Sequence, residues 1–233
     1  MGGWAPEPYP GSHYVDFDGV NDYVTCHAAA APLASDRMSG SLWMLCAAPP
    51  GGWQVMFSCG AAAGLNPEWN IGLSAAGNAY WYAERPDGSL DVLTIGTDVI
   101  ADGTWHHVGW TWSAGAGRLF VDGALDKSFA YTGDYSGVDR AAVGTRIRNA
   151  SVANHCAFQC ASLALWPRVM AAEEMARVYA GGKAIDLRPL RPSHYLWMGD
   201  RDEHPSLRWH GYERPAAATM TNMVAGDIAA GGP

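Results

Sequence analysis

The chain has 233 residues and a formal net charge of −8, a length that fits one large β domain or two small ones. Charged residues make up only 16%, and there are 28 Gly and 14 Pro, which disfavours long solvated helices and favours many short strands joined by turns. Eleven Trp, ten Tyr and five Phe supply a core and exclude general disorder, while the acidic balance offers no electrostatic footprint for nucleic acid.

The opening Met1-Gly-Gly-Trp-Ala-Pro-Glu-Pro-Tyr-Pro lacks the basic residues and apolar run of an export signal. Pro6 stands where a myristoylation motif needs Ser or Thr, so neither export nor lipidation is expected. Short β-type runs follow: His13–Phe17, Asp22–Cys26, Ser41–Cys46, Trp53–Ser58, Trp69–Leu73 and Ala79–Ala83. The longest uncharged stretch, Met38 to Pro67, is broken by Pro49-Pro50-Gly51-Gly52, well short of the roughly 18 apolar residues that span a bilayer. Further runs are Leu90–Ile95, Thr104–Trp112, Arg118–Val121, Asp126–Tyr131, Ala141–Ile147 and Ala157–Trp166. Their spacing is that of a β-sandwich, and the absence of interposed helices rules out a doubly wound parallel sheet. Gly115 and Gly117 between Trp110-Thr-Trp and Leu119-Phe-Val mark one hairpin, and Asp122-Gly123 marks the next turn.

One helix is predicted over Ala171–Ala180, following Pro167, with Glu173 and Glu174 in its first turn, Met175, Val178 and Tyr179 on one face, and Gly181-Gly182 as the stop. Beyond it the composition turns polar and Pro- and Arg-bearing. The division expected is an N-terminal segment 1–12, a sandwich domain 13–186 and a C-terminal arm 187–233, which wraps its own domain or reaches a partner. The five cysteines (Cys26, Cys46, Cys59, Cys156, Cys160) are odd in number and sit in apolar, strand-like segments. They read as reduced, buried small hydrophobes.

Three stretches carry a family resemblance: Tyr14-Val-Asp-Phe-Asp-Gly-Val-Asn-Asp-Tyr-Val, Asp102-Gly-Thr-Trp-His-His-Val with Arg118-Leu-Phe-Val-Asp-Gly, and Leu163-Ala-Leu-Trp-Pro-Arg-Val-Met-Ala-Ala-Glu-Glu-Met-Ala-Arg-Val-Tyr. Together they resemble the laminin-G-like branch of the concanavalin A-like lectin/glucanase superfamily, over roughly Tyr14 to Gly182. The resemblance implies an all-β, two-sheet antiparallel jelly roll with a curved concave face. That family holds glycan-binding modules, adhesion domains, hydrolases and phage accessory domains, so fold alone does not choose the function.

The chemistry-bearing residues narrow the choice. Glucanases of the superfamily carry a Glu-x-Asp-x-(x-)Glu strand, because nucleophile and acid must sit about 5 Å apart. Here no Glu-x-Asp occurs, and the seven glutamates (Glu7, Glu68, Glu84, Glu173, Glu174, Glu203, Glu213) read as scattered. No catalytic residue is assigned, and a non-enzymatic role is expected. Asp16, Asp18, Asn21 and Asp22 have calcium-type oxygens. They equally suit an Asx turn, and the later acid of calcium-holding relatives is missing from Phe158-Gln-Cys-Ala-Ser. His106 and His107 point to opposite faces of a strand and cannot clasp one metal. Cys156 and Cys160, four apart on a strand at roughly 13 Å, read as packing residues despite the neighbouring His155. No metal or cofactor is therefore expected. Among the aromatics, most belong to the core, and Trp53 and Trp81 are the candidates for an exposed sugar-stacking platform.

The closing Ala218-Thr-Met-Thr-Asn-Met-Val-Ala-Gly-Asp-Ile resembles the ends of such domains in tailed-phage structural proteins. The reading is a non-catalytic virion structural protein, a capsid decoration or tail-associated component assembled in the host cytoplasm, showing a lectin-like face to host-surface or environmental glycans. Its partners would be a major capsid or tail protein and further copies of itself in symmetric array, with neither nucleic acid nor membrane. The alternatives are a glycan-binding module of a bacterial surface or secreted protein, and a glycoside hydrolase with an unrecognised site.

Overall fold

The computed structural model describes residues 14–25, 37–61, 67–113, 115–133, 135, 137–148 and 151–182, together with the backbone of 194–197 and 208–211. In chain order the strands are β1 (Val15–Asp18), β2 (Val24–Thr25), β3 (Arg37–Leu45), β4 (Gln54–Gly60), β5 (Glu68–Leu73), β6 (Asn78–Glu84), β7 (Leu90–Val99) and β8 (Trp105–Ser113). They continue as β9 (Ala116–Val121), β10 (Ala124–Ala130), β11 (Arg140–Val143), β12 (Arg146–Arg148), β13 (Ser151–Ala153), β14 (Ala157–Trp166), β15 (His194–Trp197) and β16 (Arg208–Gly211). One helix, α1 (Ala172–Ala180), follows β14.

Two antiparallel sheets face each other as a sandwich. The eight-stranded sheet runs β10-β9-β8-β3-β14-β15-β16, with β1 paired to the other half of β14, and the six-stranded sheet runs β2-β11-β4-β5-β6-β7. The expected all-β jelly roll is the observed architecture. Two turns show how residue type sets topology. Asp122 and Gly123 both lie at positive φ (49° and 76°), the type I′ geometry whose twist matches the strands it joins, and β9 and β10 pair directly around it. Gly115, at φ 82°, turns β8 into β9.

Alternation then fills the space between the sheets. Val108, Trp110 and Trp112 of β8 face Phe57, Trp69, Ile71 and Trp81 of the other sheet in one buried cluster. Trp69 stacks on Trp81 (centroids 5.1 Å, 7°) while Trp112 meets both edge-on at 4.8 Å. These offset and T-shaped contacts suit the ring quadrupoles. Gly40 of β3 makes room for Trp110, since a Cβ there would lie 2.2 Å from the indole.

On the far face of the eight-stranded sheet, α1 buries Met175 and Val178 with Phe120, Trp166 and Met170. Its N-terminus is held by Glu174, which accepts the Ala171 N–H (2.9 Å) and pairs with both terminal nitrogens of Arg168 at 2.8 Å. Those bonds depress the Glu174 carboxyl to about 2.

The structure departs from the sequence reading in one stretch. The run Ala141–Ile147 is two strands, because Gly144 at φ 84° breaks it; β13 then pairs with β12 as a small hairpin. From the expected arm, β15 adds to β14 and β16 to β15, so those eight residues extend the domain's own sheet. The rest of the arm and the segment 1–12 lie outside the described residues. Among the described residues, no helix is long and apolar enough to cross a membrane.

Candidate functional site

The turn at Ser74–Gly77 folds β5 onto β6 and sets which residues meet on the outer face of the six-stranded sheet. Cross-strand partners there are Glu68 with Glu84, Asn70 with Tyr82, and Gly72 with Tyr80. On β7, Leu93 lies opposite Tyr82 and Ile95 opposite Tyr80. The other parity, Trp69, Ile71, Trp81 and Ala83, is core. The outer face therefore carries two acids at one end, an amide and a phenol in the middle, and an aromatic and a glycine at the other.

The β12–β13 hairpin lies over this face. Ser58 Oγ donates to Thr145 O (2.7 Å) and accepts from Ile147 N (3.0 Å), and Gly60 permits the crossing, since a Cβ would sit 2.3 Å from Ile147 O. The hairpin delivers two arginines onto the acids. Arg146 Nε donates to both oxygens of Glu68 (2.8 and 3.2 Å), and Arg148 meets Glu84 Oε2 at 2.8 Å. Arg146 also reaches Glu84 Oε1 at 3.4 Å, and Arg148 reaches Glu68 at 3.9 Å. The Tyr82 hydroxyl donates to Glu84, and the Arg146 guanidinium sits 5.7 Å from the Tyr82 ring centroid. Glu68 is 1% exposed. Burial pushes its carboxyl above the ordinary range against the opposing pull of Arg146. Burial, with the bond to Glu84, likewise pushes the Tyr82 phenol far up, so at neutral pH it remains a donor.

Beside this cluster opens a groove of about 270 Å³ lined by Trp53, Val55, Asn70, Tyr80, Tyr82, Leu93, Arg146 and Asn154. Trp53 is 43% exposed and stands perpendicular to Tyr80 (centroids 4.9 Å, 81°). Gly72 lets Tyr80 lie flat, because a Cβ would come within 2.6 Å of the phenol and 2.0 Å of Gln54 O. Asn70 is 2% exposed, and its Oδ1 has no hydrogen-bond partner among the described residues. Asn70 is among the residues that line the groove, and an unmet buried acceptor is costly until a donor reaches it. Asn154, at φ 52°, closes the wall by accepting the Val55 N–H at 2.9 Å.

A laminin-G-type family model, described as the concanavalin A-like lectin/glucanases superfamily, matches residues 18–176. The chain belongs to this superfamily. No curated protein matches it in sequence. Solved structures of the superfamily's shape are similar to it. One is the native heptameric SAP-like pentraxin from Limulus polyphemus (TM-score 0.59, 13% identity, covering 73% of this chain and 83% of that one). A second is the Ruminococcus gnavus IT-sialidase CBM40 bound to α2,3-sialyllactose (0.56, 14%, 73% and 94%). A third is LG4-5 of the mouse laminin α1 chain (0.50, 16%, 71% and 44%). At these identities the likeness speaks to the fold alone.

Against the superfamily's sandwich, the residues singled out from sequence fall as follows. Trp53 lines the groove. Trp81 does not: it is 1% exposed and belongs to the core stack, because β6 turns Tyr80 and Tyr82, not Trp81, to the outer face. The glutamates are not all scattered, since Glu68 and Glu84 meet directly across β5 and β6. The signal for this lay in the hairpin centred near Ala76, which pairs residues whose numbers sum to a constant.

In the Asp16–Asp22 turn, Asp18 Oδ1 accepts the Val20 and Asn21 N–H groups (2.7 and 3.2 Å), and Asp22 Oδ2 accepts that of Asp18. This is Asx-turn bonding. His106 and His107 do point to opposite faces. His106 bridges Asp122 (2.8 Å) and Asp102 (3.2 Å), and His107 is buried beside Trp43 and Tyr179. Cys156 and Cys160 are buried free thiols, and burial raises both pKa values.

Proposed function

We propose that the groove on the outer face of the six-stranded sheet binds glycan without cleaving it. The observation that carries this reading is the pairing of an exposed indole, Trp53, with a buried amide, Asn70, whose acceptor lacks a partner among the described residues. A sugar ring presents an apolar C–H face for stacking and hydroxyls for such an acceptor. The test is a glycan array probed with the wild-type chain and Trp53→Ala. Binding that is lost in the variant supports the reading, and an array unchanged by the substitution contradicts it.

One observation favours hydrolysis as a second reading: Glu68 and Glu84 sit opposite each other next to the groove. Against it, each carboxylate is held by an arginine of the hairpin, whereas a retaining glycosidase needs one acid free to protonate the leaving oxygen and the other free to attack. Release of reducing ends from a polysaccharide panel, abolished by Glu84→Gln, would establish the hydrolase instead.

In this proposal the domain is displayed on a virion surface as a capsid decoration or tail-associated protein, bound to the capsid or tail protein and repeated by the particle's symmetry. The support is the likeness of Ala218–Ile228 to the ends of such domains in tailed-phage structural proteins, a segment outside the described residues. Co-sedimentation with purified particles tests it, and a chain found only outside them contradicts it.

A further inference from the structure

Resting on the glycan reading of this groove, we infer that the ligand is an uncharged sugar whose hydroxyls donate to Asn70, and that glycans carrying a carboxylate at the bound residue are rejected. Charge disfavours an acidic ligand. Arg146 is the cation among the groove-lining residues, and an arginine at a glycan site ordinarily suggests an acidic sugar. Here its Nε and terminal nitrogen are directed at Glu68, with Glu84 as a second contact, and Arg148 closes the set on the same two acids. Two cations and two anions leave the cluster with no net charge. A carboxylate approaching Arg146 therefore also meets Glu68 and Glu84, and it must shed its hydration without the excess positive potential that would offset that cost.

The sense of the hydrogen bonds on offer points the same way. Asn70 Oδ1, an acceptor, has no partner among the described residues. The Tyr82 hydroxyl proton is already directed to Glu84, so what Tyr82 has left is acceptor capacity. Both acceptors suit a sugar hydroxyl, whereas an ionised carboxylate, which can only accept, offers neither of them a proton. Shape and polarity agree. Trp53, Tyr80, Val55 and Leu93 form an apolar wall and floor, which suits the C–H face of a neutral pyranose.

The experiment uses the whole chain on an array that pairs neutral oligosaccharides with counterparts bearing a sialyl or uronate residue. Hits are then titrated calorimetrically with wild type, Trp53→Ala and Asn70→Ala, and with Asn70→Ser should the alanine variant unfold. The inference expects uncharged hits, weakened by roughly tenfold on loss of the Asn70 amide, and a similar loss when a carboxylate is added to the bound sugar. An acidic glycan that binds as tightly as its neutral counterpart overturns this inference and leaves the glycan reading standing. No glycan of either class bound, or hits indifferent to Trp53→Ala, overturns the reading beneath and the inference with it.

Discussion

His107 offers the clearest quantitative test of the sandwich. Its ring is fully buried, lies 5.5 Å from Trp43 and 6.2 Å from Tyr179 by centroid, and neither ring nitrogen has a hydrogen-bond partner among the described residues. Burial lowers its pKa from 6.5 to about 4, although Asp122 pulls the other way. The unfolded chain takes up this proton near pH 6.5 and the folded chain refuses it until about pH 4. The stabilisation is therefore complete above pH 6.5 and is lost as pH falls toward 4. By linkage the loss reaches about 2 kcal/mol at pH 5 and about 3 kcal/mol at full extent.

His106 runs in the opposite sense. Burial opposes its charge, but Asp122 and Asp102 raise its pKa overall, so its contribution is full below pH 6.5 and fades as pH climbs through the raised value. Comparing wild type with His107→Phe isolates the buried ring, because His106 and every carboxyl are common to both. In urea unfolding followed by tryptophan fluorescence, the variant should gain about 2 kcal/mol on wild type between pH 7.5 and pH 5. A difference between the two proteins that does not change with pH would refute the reasoning.

Two further substitutions probe residues that hold the groove's lining in place. Glu68→Gln leaves the arginines of the hairpin facing a single carboxylate. Because breaking a buried pair costs roughly 3–5 kcal/mol, unfolding stability should fall by about 3 kcal/mol, with most of it recovered in Glu68→Gln/Arg146→Met. A single variant within about 0.5 kcal/mol of wild type would show that the cluster does not hold the hairpin. Gly72→Ala places a Cβ 2.0 Å from Gln54 O and 2.6 Å from Tyr80. It should lower stability by roughly 1–3 kcal/mol and weaken ligand binding together, whereas Gly52→Ala, with nothing within 4 Å, should do neither. Equal melting temperatures for the two variants would contradict the packing described.

The strand layout was legible because turn chemistry and alternation agree at Gly115 and Asp122-Gly123, where positive φ admits little else. Which face of a strand points inward was less so. In β6 the successive residues Tyr80, Trp81 and Tyr82 are all aromatic, so alternation separates Trp81 from its neighbours without saying which side is core. Only packing against Trp69 and Trp112 decides it. The Glu68–Glu84 pair required a register, which the intervening turn sets. The hairpin of β12 and β13 carries no long apolar run and depends on contacts far away in sequence, such as Arg146 with Glu68. Asn70 was not singled out, because what marks it is its burial beneath a groove.

Where a bound glycan touches the protein decides whether the groove is the binding site. With isotopically labelled chain and the tightest glycan found, NMR chemical-shift mapping should move the Trp53 indole and the Asn70 and Asn154 side-chain amides first, with Tyr82 close behind. Shifts gathered instead around α1 and the far face of the eight-stranded sheet, with Trp53 and Asn70 unmoved, would contradict the groove as that site.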